Sequence, residues 1–439
     1  FRRPADSRHL ANEVDGEAVD AMAEAVAAAY PRLSHRYYAL KARAMGKTAL
    51  DHWDRNAPIE STPPRAYDWR QGREVVLDSF GALGGDFADR AARFFDRPWI
   101  DAQARPGKQS GAYCHPVTAT RHPYVFMNWM GERRDVLTLA HELGHAVHNT
   151  LAAEQGTLLA DTPLTLAETA SIFAEGLTFD RLLAEAPESE QRGLLAGRIE
   201  DGLNTGVRQI AFHRFETRFH DERSAGEVSP DRINALWLEE MGASLGPAVT
   251  LNPGYETWWS YVSHFFHSPF YVYAYAFGDL LVAALMEARR ADPAGFTPLY
   301  RDLLAAGGTR TYVDALKPFG LNPRDPAFWS VGCNRLERLI DQFEDLSWPP
   351  LRLEPTARLA IVAGTIPQRN RDMADPHTPV VTDGEANFVE NATVHADADA
   401  QAYVHGSMPL NEQHATYGLF MNLTNKGGRG GGAAAGWWL

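Results

Sequence analysis

The chain has 439 residues, 45% of them hydrophobic, enough for a sizeable buried core and for two or three domains on size alone. Its formal net charge of -14 disfavours nucleic acid and anionic membranes as partners, because both are bound through basic surfaces. Two cysteines, Cys114 and Cys333, are too few for a disulfide framework and suit a reducing compartment, so the expected location is cytoplasmic.

Residues 16–30 and 32–46 read as two helices separated by Pro31, which lacks an N–H and restricts its predecessor. Residues 56–70, rich in Pro and charge, read as a loop, and helices are expected over 71–83 and 85–96. From Gly107 to Met130 the period shortens. Ala112-Tyr113-Cys114 and Tyr124 to Trp129 are aromatic and β-branched, bounded by Gly and Pro, and predict a small sheet. Its free edge is suited to binding an extended peptide through main-chain hydrogen bonds, although a hairpin that only supports the next helix weighs nearly as much.

That next helix, Thr138 to His148, carries H-E-x-x-H. At about 100° per residue, His141, His145 and His148 share one arc, and Val136, Leu139, Leu143, Ala146 and Val147 lie opposite. Two imidazoles four residues apart can hold one metal ion, and Glu142 beside them can take the proton of a water molecule. Asp161-Thr162-Pro163 looks like a helix start, and Leu164 to Leu183 reads as one amphipathic helix containing Glu168 and, two turns on, Glu175. Glu168 is the expected third protein ligand, which leaves a coordination place open. Glu175 and Asp161 are candidates for orienting the ligand histidines through their second ring nitrogen.

Residues 190–222 and 229–244 read as helices, with Ile210, Phe212, Phe215 and Phe219 on the core stripe and His213 and His220 on the surface. An aromatic block from Tyr255 to Tyr275 follows, then helices at 276–289, 295–305, 310–316 and 325–345. The most apolar stretch, Phe270 to Met286, is interrupted by Asp279, so no transmembrane span is expected. Residues 347–439 are expected to form an unassigned tail, low in complexity or a small β appendage, with short strands over Ala402–Val404 and Gly418–Met421. A poorly ordered tail is the leading reading, and His395, His405 and His414 form no ligand spacing.

HELGHAVH followed by LAETASIFAEGLTFDRLL resembles the thimet oligopeptidase and oligoendopeptidase F family of zinc metallopeptidases. RPGKQSGAYCHP with HPYVFMNW, VSHFFHSPFYVYAYAFGDLL, and FWSVGCNRLERLIDQFEDL resemble further blocks of that family in the same order, together covering residues 1–346. The resemblance implies a mainly α, bilobal zincin-type catalytic domain with a small sheet beside the H-E-x-x-H helix. It also implies that the family's N-terminal helical portion is missing here. It implies Zn2+ on His141, His145 and Glu168, with Glu142 as general base. It tips the sheet edge at Gly111, Ala112 and Tyr113 towards substrate binding, with His267 as a further contact. His264, or less well His267, and Tyr273, with Tyr271 and Tyr275 close by, are the implied donors to the oxyanion.

The implied activity is hydrolysis of internal bonds in short oligopeptides, with peptides as partners and the oligomeric state left open. A metallocarboxypeptidase carrying the same ligands is the second enzyme reading; it needs a cationic pocket for the substrate's terminal carboxylate. An inactive peptide-binding fragment is the third.

Overall fold

A computed structural model describes residues 3–59, 65–346, 380–381, 392–396 and 402–406. The chain divides into two compact units, one mainly Phe1–Arg43 with Lys47–Ser347, the other mainly Trp348–Gly431.

The first unit is mainly helical. Its N-terminal part holds α1 (Asp6–Ala11), α2 (Gly16–Ala29), α3 (Ser34–Ala44), α4 (Trp69–Gly81) and α5 (Gly85–Asp96). Pro31 sits in a single 3-10 turn between α2 and α3, as its missing donor requires. Asp68 and Gln71 close a capping box on α4, which fixes that helix's start two residues ahead of expectation. Strand β1 (Leu50–Asp51) pairs in parallel with the distant β5 (Val249–Thr250).

Strands β2 (Ile100–Gln103), β3 (Tyr113–His115) and β4 (Tyr124–Trp129) form a three-stranded sheet with β4 in the centre. The pair β3 and β4 is the expected antiparallel one, whereas β2 joins in parallel and was not legible locally, since its partner lies beyond the intervening strand. The sheet leads into α6 (Arg133–Ala152), the H-E-x-x-H helix, capped by a box between Glu132 and Asp135.

After α6, the single helix expected over Leu164 to Leu183 is two: α7 (Leu164–Ala167) and α8 (Thr169–Glu185), broken at Glu168. The helix expected over 190–222 is likewise interrupted, with α9 (Glu188–Gly202) and α10 (Arg208–Ala225) joined by a π turn over Leu203–Val207. A periodicity reading cannot register a π turn, because one extra residue leaves the apolar pattern on each side intact. There follow α11 (Pro230–Leu245), α12 (His264–His267), α13 (Tyr273–Ala291), α14 (Pro293–Ala305), α15 (Tyr312–Leu316) and α16 (Pro326–Asp345). Ser229, Asp292 and Asp325 cap α11, α14 and α16, each followed by Pro at the first helical position.

His213, expected on the surface, is buried with its ring 5.5 Å from that of Tyr273, while His220 is half-buried against Phe270. The core thus reaches around α10 further than its Phe stripe alone implies. Among the described residues no helix is long and apolar enough to cross a membrane.

In the second unit, β6 (Val380–Val381), β7 (Ala392–Ala396) and β8 (Ala402–Gly406) pair antiparallel in sequence order. The strand expected at Ala402 is there. The one expected over Gly418–Met421, His414 and the reading of the remaining tail as poorly ordered lie outside the described residues.

Candidate active site

The helix α6 buries Val136, Leu139, Leu143 and Val147 and packs most extensively on α8. Gly144 makes that approach possible: a Cβ there would lie 2.5 Å from the Ala170 carbonyl oxygen and 2.6 Å from Ser171 Cα. Backbone meets backbone at this point, so Glu168 at the head of α8 reaches the histidine face of α6. Glu168 itself has φ -88° and ψ 2°, off the helical track, which turns its side chain across the helix head.

The Nε2 atoms of His141 and His145 lie 3.4 Å and 3.2 Å from Glu168 Oε2. All three donor atoms fall within 4.8 Å of one another, and this is the metal-suited cluster among the described residues. Two imidazoles and one carboxylate converging so closely, on largely buried side chains, fit a divalent metal such as zinc. The other face of His141 is fixed as well, with Nδ1 3.2 Å from Glu175 Oε2. Such a carboxylate holds the proton on Nδ1 and leaves Nε2 free to ligate. Asp161, the other orienting candidate, is exposed. His148 shares the arc but is buried, with Nε2 3.1 Å from Thr162 Oγ1, and stands outside the donor set.

Electrostatics follow this geometry. Burial pulls the His141 imidazole down, but its bond to Glu175 and the charges of Glu168 and Glu142 outweigh that and lift it to about 9. Burial pushes Glu168 up, yet His145, His141 and the Ser171 hydroxyl, which donates at 2.7 Å, bring it down to about 2. Glu142 is different: burial dominates and raises it to about 7, within reach of a hydrogen bond from the Cys114 backbone on β3. A carboxyl near neutrality beside a metal-binding face is poised for general-base work.

That backbone contact places β3 beside the site. Gly111 enters it at φ 92°, its carbonyl accepting from Asn128 Nδ2 at 3.2 Å; Ala112 is buried; and Tyr113, 37% exposed, stacks on Phe126. Strand β3 has β4 on one side and lies at the sheet's edge on the other. Cys114 is buried and unpaired, its thiol pushed well up by burial and by the Glu142 charge, which marks a structural rather than a reactive group.

The aromatic block places its candidate donors in two different environments. Of its two histidines, His264 is buried with Nε2 3.0 Å from the Tyr275 hydroxyl, and His267 is exposed. Tyr273 does not face the ligands. Its hydroxyl accepts from Asn12 Nδ2 at 2.9 Å and meets His9 Nδ1 at 3.1 Å, both on or next to α1. Burial raises the Tyr271 and Tyr275 phenols, and the Glu168 charge adds to the rise in both. Tyr275 follows Tyr273 by two residues on α13, and residues two apart on a helix do not share a face, so these two part; Tyr271 lies ahead of the helix. The sequence held that signal; which side meets the metal face it did not hold. Nothing in the sequence marks Gly144 or Arg198, the first because a Gly inside a helix shows its use only beside its packing partner.

The sequence model of Peptidase family M3 matches residues 86–334, more than half of the chain. The chain is 27% identical over 340 residues to oligoendopeptidase F (chromosomal) of Lactococcus lactis subsp. cremoris, covering 77% of this chain and 56% of that protein. It is 26% identical over 338 residues to oligopeptidase PepF of Bacillus subtilis, covering 76% and 50%. It therefore spans about half the length of the curated relatives it matches. In fold it resembles the crystal structure of oligoendopeptidase-F from Enterococcus faecium, with a TM-score of 0.61, 20% identity, and 79% and 56% of the two chains covered. The matched span contains both helices of the donor set, the sheet edge and the aromatic block, and on that ground this chain belongs to Peptidase family M3.

Proposed function

We propose that this chain is the catalytic portion of a zinc-dependent endopeptidase that hydrolyses internal bonds of short peptides. The observation that carries the reading is the convergence of His141, His145 and Glu168 within 4.8 Å, with the buried carboxyl of Glu142 on the same helix. The names of its relatives, oligoendopeptidase and oligopeptidase, support the substrate class. Two free, buried cysteines agree with work in the cytoplasm.

His141 and His145 from α6 and Glu168 from the head of α8 hold the metal. When bound, zinc supplies Lewis acidity that polarises a water molecule and the scissile carbonyl. Glu142 accepts the proton of the attacking water at its carboxylate and returns it to the departing amine nitrogen. Tyr271 and Tyr275, near enough to Glu168 to feel its charge, and His264, bonded to Tyr275, supply the donors: phenol hydroxyls raised by burial stay protonated and donate to the oxygen on which charge develops. The free edge of β3, with Gly111 and Ala112 leading into Tyr113, offers main-chain groups to an extended peptide, which orients substrate without reading every side chain.

The test combines metal analysis with cleavage mapping in a mixed peptide pool. Stoichiometric zinc and internal cuts are expected. Release of only C-terminal residues would replace this reading with a carboxypeptidase, and absence of metal after purification in zinc would remove its chemical basis.

A further inference from the structure

Behind the ligand face, on α9, lies a guanidinium to which none of the steps above assigns a role. The Arg198 side chain is 16% exposed, and its Nη1 lies 3.4 Å from Glu175 Oε1. The other oxygen of Glu175 is the one that meets His141 Nδ1 at 3.2 Å. On its far side, Arg198 Nη2 lies 4.0 Å from Asp279 Oδ1. Glu175 belongs to α8 and Asp279 to α13, so one cation bridges two helices from a third.

Those two helices carry the third ligand at the head of one and Tyr275 on the other. One turn before Asp279, α13 carries Tyr275, and between them Gly278 passes Glu168 so closely that an added Cβ would lie 3.8 Å from Glu168 Cβ. Arg134 also acts on Glu175, and Arg335 on Asp279, but among the described residues Arg198 alone pairs with both carboxylates. A forked guanidinium suits that task. It presents separate N–H groups to two acceptors at once, whereas an ammonium is a single point charge.

We infer that Arg198 is a positioning residue that ties the hydrogen-bond partner of His141 to the helix carrying Tyr275, setting metal-binding and donor geometry together. The inference rests on the metallopeptidase reading. Its mechanical content is a chain: Asp279 to Arg198 to Glu175 to His141 Nδ1. Loss of the guanidinium removes the cation that pairs with both Glu175 and Asp279, and Glu175 loses the contact that fixes it in place to hold the ring.

The test uses the full chain and zinc alone as the probe, titrated against a chromophoric chelator, with kcat and KM measured on a quenched peptide. Arg198→Met is expected to weaken zinc binding roughly 10- to 100-fold, the range for loss of a group that orients a ligand. Arg198→Lys should recover part of that. In a Glu175→Gln background, Arg198→Met should cost much less than in the wild type, because both act through one ring nitrogen. Equal, additive losses would mean Arg198 serves folding alone and would overturn the inference, as would wild-type zinc affinity in Arg198→Met. Should Arg198→Met fail to fold, Arg198→Lys and the double variant carry the same comparison. A wild-type chain that binds no zinc would instead overturn the metallopeptidase reading beneath it.

Discussion

A Cβ added to Gly144 would sit 2.5 Å from the carbonyl oxygen of Ala170, closer than such atoms can approach. Because the obstacle is backbone, it cannot swing aside as a side-chain tip would. Gly144→Ala gains about 1 kcal/mol of helix propensity but loses about 1–3 kcal/mol or more to overpacking. It also moves Glu168 off His141 and His145. The expected result is a lower melting temperature together with weaker zinc binding, read by thermal denaturation and chelator competition; an unchanged zinc affinity would mean the helix contact does not set the ligand geometry.

Glu142→Gln keeps shape and hydrogen bonding but cannot take a proton. It should retain zinc and lower kcat by about 10²- to 10⁴-fold, the range for general acid–base catalysis. Burial holds this carboxyl at about 7 in the metal-free chain, and the ionised form is the active base, so activity rises with pH through its titration. A bound cation favours the ionised form and shifts that limb to lower pH. The acidic limb of kcat/KM in the zinc-loaded enzyme is therefore expected below 7, and a limb above 7 would assign it to another group.

The three tyrosines of the aromatic block should separate by phenotype. Tyr271→Phe and Tyr275→Phe are expected to lower kcat more than they raise KM, since a donor to a developing oxyanion acts mainly in the transition state. Tyr273→Phe should instead cost stability, about 1–3 kcal/mol for stranding the Asn12 amide and the His9 ring in the interior. Steady-state kinetics beside urea denaturation decides this, and a large kcat loss in a fully stable Tyr273→Phe would reverse the assignment.

Stability of the metal-free chain should depend on pH through His213. Burial lowers its imidazole to about 4, so the folded state stays neutral while the unfolded state gains a proton below about 6.5. The stabilisation is complete above 6.5 and is lost as pH falls towards 4, in all about 3 kcal/mol from the difference in the two values. Glu216 opposes this. Burial raises it to about 7, so the folded state binds a proton that the unfolded state releases above about 4.5, and its contribution grows as pH falls. The two mix in the wild-type profile, and the check is a comparison with His213→Leu. Urea denaturation at pH 7.5 and pH 5 should show the variant gaining on the wild type at the lower pH; parallel profiles would mean His213 is protonated in the fold.

What the sequence determined by itself is local and periodic. Imidazoles at His141 and His145 share a face because an α-helix repeats every 3.6 residues, whatever surrounds it. The starts of α11, α14 and α16 follow from a capping residue and a Pro, and the mainly helical class follows from the same patterns. Tertiary structure decided everything that depends on a second element. The break at Glu168 turns a carboxylate towards α6, Gly144 admits α8 to backbone contact, and α13 presents Tyr275 rather than Tyr273 beside Glu168. Each of these is a choice between faces that are equivalent in sequence period, and only the packing of one helix on another makes them unequal.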